Sequence, residues 1–121
     1  MITQQAVEDH LRQFADLLNQ DKTEEASAHF AEDGTAIGSA GSYVRGKKLI
    51  AERLSLTLER FGGGTLKFKL IEFRALGDTI ATAICRWTFK TPNRTLTGLT
   101  VTVYHEIDGR LLSVVGATTE G

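Results

Sequence analysis

At 121 residues the chain has room for one small domain and no second catalytic module. Its 41% hydrophobic and 24% charged residues, with 12 glycines and a single proline, exclude a disordered, collagen-like or low-complexity polymer. The formal charge of −1 supplies no long-range field to gather a polyanion, so nucleic acid is not an expected partner.

From Thr3 to Leu18, apolar Ala6, Val7, Leu11, Phe14, Leu17 and Leu18 recur at helical spacing, which predicts a first amphipathic helix. Asp21 is the expected cap of a short second helix over 22–30, with Ala26 and Phe30 four apart on one side. Acidic residues and Gly34 are expected to end it. Between Gly34 and Gly46, Gly38, Gly41 and Ser42 punctuate small apolar residues as in a strand or hairpin. A third helix follows, with Leu49, Ile50, Leu54, Leu58 and Phe61 as its dry stripe, and Gly62-Gly63-Gly64 stops it.

Beyond Gly64 the period changes from 3.6 to 2. Leu66, Phe68 and Leu70 share one strand face, and Ile71 and Phe73 shift the parity as a bulge would. Ala81, Ala83, Cys85, Trp87 and Phe89 line one face of the next strand. Pro92-Asn93 marks a turn. The following strand places Leu99, Val101, Val103 and His105 on one side, expected to be the inward one, and Asp108-Gly109 signals a tight hairpin before Leu111 to Thr118. Helices first and strands afterwards predict an α+β domain whose helices pack on an antiparallel sheet. The opposite sheet face keeps Ile80, Ile84 and Tyr104 among threonines and basic residues, which points to a homodimer.

The lone Cys85 cannot form an internal disulfide, and the N-terminus lacks a basic segment followed by an apolar one, so a cytoplasmic location is expected. No apolar run approaches the roughly 20 residues needed to span a bilayer, so no membrane partner is expected. His10, His29, His105 and Cys85 lack compact metal-ligand spacing, and neither a metal nor a cofactor is expected.

The phrase His29-Phe30-Ala31-Glu32-Asp33-Gly34-Thr35, followed by Gly41-Ser42-Tyr43-Val44-Arg45-Gly46 and a helix, resembles the nuclear-transport-factor-2-like superfamily. More narrowly it resembles bacterial SnoaL-like and ketosteroid-isomerase-like proteins. The resemblance implies a cone-shaped, cystatin-like fold in which a strongly curved sheet wraps around the helices and leaves a mostly apolar pocket, commonly in a homodimer. It also implies positions for steroid-isomerase chemistry, and this chain departs at all three. Phe14 stands where a tyrosine would donate to an oxyanion, Gly38 where a carboxylate base would act, and Val101 near the partner acid.

The expected ligand-binding set is Phe14, Leu18, Phe30, Tyr43, Leu58, Trp87, Val101 and Val103, with Tyr43 and the Trp87 ring nitrogen able to orient a ligand. The weaker catalytic candidates are His29 and Asp33, joined by i,i+4 spacing, together with Tyr43 and His105. The leading expectation is a domain that binds a small apolar or amphipathic molecule. The alternatives are an isomerase, dehydratase or cyclase with an unusual acid/base pair, and a structural or protein-interaction homodimer whose cavity is filled by its own side chains.

Overall fold

A computed structural model describes residues 1–121. Helix α1 (Gln4–Asn19) begins where Thr3 Oγ1 accepts the Ala6 N–H at 3.1 Å, satisfying one of the otherwise unpaired first-turn donors. Its buried stripe is Val7, His10, Leu11, Ala15 and Leu18. Helix α2 is shorter than the sequence predicts, Thr23–Ser27, and Asp21 does not cap it; Asp21 takes a left-handed turn at φ 61°. Phe30 opens strand β1 (Phe30–Ile37), so Glu32, Asp33 and Gly34 lie within an irregular strand and do not end a helix. Pairing with the neighbouring strands outweighs the weak local helix signal of Ala26 and Phe30.

Strand β2 (Tyr43–Arg45) pairs back on β1 and leads into α3 (Lys47–Phe61). Gly62 ends α3 in the left-handed conformation at φ 67°, a geometry that a Cβ disfavours, while the Gly63 N–H bonds the Leu58 carbonyl. Strands β3 (Thr65–Ala75), β4 (Ile80–Lys90), β5 (Thr95–Ile107) and β6 (Arg110–Thr118) complete one sheet of order β2-β1-β6-β5-β4-β3. Every neighbouring pair is antiparallel except β1 with β6. Asp108 and Gly109, both at positive φ, make the tight β5–β6 turn.

The helices pack against this curled, unclosed sheet, and the domain is α+β. Ile2, Val7 and Leu11 meet Ala81, Ala83, Cys85 and Tyr104 in the main core. The β3 parity shift is a register break between Leu70 and Glu72. Cys85 is fully buried and behaves as a small apolar residue.

One expectation reverses in β5. Tyr104 pairs with Ala81, Thr102 with Ala83 and Thr100 with Cys85, and residues opposite one another share a face. The inward face of β5 therefore carries Thr100, Thr102 and Tyr104. Val101, Val103 and His105 lie on the outer face, with Val101 opposite Ile84.

Candidate functional site

The interior between α1, the α2–β1 junction and the sheet holds a cluster of rings. His10 comes from α1, His29 from the residue before β1, and Tyr104 from the inner face of β5. The His10 ring meets His29 edge-to-face at 4.7 Å and Tyr104 at 5.1 Å. Phe14, one turn after His10, lies 6.0 Å from both His29 and Phe30 and 6.2 Å from Phe68. Tyr104 and His10 are buried, whereas His29, Phe14, Phe30 and Phe68 are half-buried, so the cluster runs from the core to the surface.

Backbone geometry sets the polar character of this cluster. The His29 carbonyl accepts the Ser113 N–H at 2.8 Å and the His10 Nε2–H at 3.2 Å. Because a carbonyl can only accept, Nε2 of His10 carries the proton and Nδ1 is left as a bare lone pair. Both His10 Nδ1 and His29 Nδ1 are buried without a hydrogen-bond partner. Burial, reinforced by the neighbouring His29, holds the His10 pKa down to about 4. His29 is also lowered, first by burial, against the opposing pull of the Glu25 and Ala26 carbonyls, and the Arg110 charge lowers it further. Both imidazoles are neutral at pH 7. Burial pushes the Tyr104 phenol up, and the Cys85 thiol up to about 11, so neither ionises near neutrality.

Of the catalytic candidates read from the sequence, only His29 belongs to this cluster. Asp33 does not orient it: the two are not on one helix, and the 73%-exposed Asp33 side chain pairs with Arg45 at 3.5 Å. Tyr43 is 62% exposed on β2, and His105 sits on the outer sheet face. Among the expected ligand-binding residues, Phe14 and Phe30 join the rings, Leu18 is buried on α1 and Leu58 is half-buried on α3. Val101, Val103 and Tyr43 do not line the interior. Trp87 is buried, but its ring N–H donates to the Thr119 carbonyl at 3.0 Å and is not free to orient a ligand.

His10 is the residue that sequence reading missed. It carried a usable signal, since it falls three residues after Val7 and four before Phe14, on the same helical stripe. A surface groove of about 440 Å³ between α1 and β3 is edged by Gln5, Glu8, Arg12 and Asp16 and shares Phe68 with the ring cluster.

The departures from the steroid-isomerase pattern are built into the packing. A Cβ on Gly38 would fall 2.4 Å from Ser42 Oγ, which Arg53 holds through a hydrogen bond, so a carboxylate-bearing side chain needs this contact to shift. Val101 faces outward and Phe14 has no proton to donate.

Helices laid on a curled sheet around a half-buried ring cluster define a cystatin-like α+β domain. The chain belongs to the SnoaL-like domain family, whose model matches residues 11–114. No curated protein matches it in sequence. Among solved structures it is similar to a cystatin-like domain of unknown function from Nostoc punctiforme, with a TM-score of 0.87 and 21% identity over 99% of this chain and 80% of that one. It is also similar to an NTF-2-like protein of unknown function from Shewanella oneidensis (TM-score 0.80, 20% identity, 95% and 97% covered). A third is a putative scytalone dehydratase from Novosphingobium aromaticivorans (TM-score 0.81, 16% identity, 97% and 83% covered). At these identities the likeness establishes the fold.

Proposed function

We propose that this SnoaL-like domain binds a small amphipathic molecule between α1, the α2–β1 junction and the inner sheet face. The observation that carries this reading is the ring cluster itself. Phe14, Phe30 and Phe68 are only half-buried although each could bury much more area, and Phe14 joins the other two rings to the polar His29 imidazole. A flat or aliphatic ligand seated there would cover aromatic surface and meet a polar edge at His29 and His10. The fold it shares with a putative scytalone dehydratase is compatible with a small-molecule ligand.

Binding fits this chemistry better than turnover. The His10 proton is committed to a carbonyl, and Tyr104 and Cys85 hold their protons far above neutral pH. A second copy of the chain is the proposed partner. Tyr43, Ile37, Ala117, Val101 and Ile84 fall in register across β2, β1, β6, β5 and β4, forming one outer row that includes exposed Tyr43, Ile37 and Val101.

Native mass spectrometry of the purified protein, followed by thermal-shift measurements with naphthalene, indole and 2-naphthol, tests the ligand reading. A retained small molecule, or stabilisation that rises with probe concentration, is the expected result. No retained molecule and no shift with any of the three would refute it.

A further inference from the structure

His10 Nδ1 and His29 Nδ1 are buried without a hydrogen-bond partner, which is costly in a folded protein because each gave up water, and only the His29 ring has further backbone carbonyls, those of Glu25 and Ala26, acting on it. The geometry points to a ligand hydroxyl as their missing partner: it donates its proton to His10 Nδ1 and leaves its oxygen free to accept from the His29 ring. This rests on the interior binding site proposed above and adds the class of ligand, a neutral aromatic or aliphatic alcohol or phenol.

Three observations select that class. The His29 carbonyl fixes the tautomer of His10, so the open nitrogen is an acceptor and the ligand must bring a proton. A carboxylate or other anion has none to give. A cationic donor is opposed by burial and by Arg110, whose guanidinium bonds the Ala28 carbonyl at 3.4 Å and whose charge already acts on His29. The surrounding Phe14 and Tyr104 rings supply apolar area for the rest of such a molecule.

The chemistry is tested on the intact protein with 2-naphthol and 2-methoxynaphthalene, which share a flat ring system and differ in the proton. Isothermal titration is expected to give 2-naphthol about tenfold tighter binding, the worth of one buried hydrogen bond. In ¹⁵N-edited spectra of the imidazoles, 2-naphthol should move the lone-pair resonance of His10 Nδ1 and the methoxy compound should not. Equal affinities would overturn the hydroxyl assignment while leaving the interior site standing. A preference for 2-naphthol without movement of His10 Nδ1 would also overturn it. So would a His10 Nδ1 resonance already in its hydrogen-bonded position in the free protein, because water would then be the partner. Binding of neither compound would remove both the assignment and the reading beneath it.

Discussion

Replacing His10 with phenylalanine should flatten the acid side of the stability profile. His10 is 8% exposed, and its native pKa of about 4 compares with 6.5 for an unburied imidazole, so the unfolded chain takes up a proton that the folded chain refuses. The sign follows from linkage. The folded pKa is the lower one, so the neutral form's stability is fully present above pH 6.5 and is lost as pH falls from there through about pH 4. The gap of roughly 2.5 units corresponds to about 3 kcal/mol in all, of which about 2 kcal/mol should be gone by pH 5. His29 acts in the same direction and remains in the variant, as do the carboxylates. Urea denaturation of wild type and His10→Phe at half-unit steps from pH 7.5 to 4 isolates the His10 contribution as the difference between the two curves. That difference should change by about 2 kcal/mol between pH 7 and pH 5 in favour of the variant. Parallel curves over this interval would refute the buried neutral imidazole.

Gly98→Ala should be strongly destabilising, because the new Cβ would sit 1.9 Å from the Thr119 carbonyl oxygen and 2.8 Å from the Trp87 ring. Overpacking and a lost Trp87 hydrogen bond together suggest about 2–5 kcal/mol, read as a lower melting temperature and altered Trp87 fluorescence; an unchanged spectrum would contradict the contact. Val101→Glu places a charge at a site 45% exposed on the outer face, so sedimentation velocity should show weaker self-association with the fold intact by circular dichroism; equal association of the two proteins would count against that face. Cys85, fully buried with its thiol pushed up to about 11, should react with a disulfide reagent at pH 8 only as fast as the protein opens; immediate reaction of the native protein would contradict its burial.

Much of the architecture was legible in residue order. The stripe of α1, the glycine stop after α3, the inward face of β4 and the Asp108-Gly109 turn all obey local rules that packing leaves in place. The phase of β5 was not legible. Its sequence alternates threonine with valine, two side chains of similar size, and inward burial falls on Thr100, Thr102 and Tyr104 because β4 presents alanines and a cysteine opposite them. That single reversal moves Val101, Val103 and His105 out of the expected site.

The candidate site was half visible for a related reason. His29, Phe14 and Phe30 were named from the chain, but Asp33 was attached to His29 through a helix that the β1–β6 pairing replaces with strand. The true neighbour of His29 is His10, 19 residues earlier, and only the packing of α1 across the sheet brings their rings to 4.7 Å. Trp87 illustrates the same limit: its ring partner is a carbonyl 32 residues later, beyond any local pattern.

Intermolecular nuclear Overhauser measurements on the protein with bound 2-naphthol test the central claim most directly. The interior site requires contacts from naphthol protons to the ring protons of Phe14, His29 and Phe30. Contacts confined to Gln5, Glu8 and Arg12 along the α1–β3 groove would place the ligand elsewhere and contradict the account.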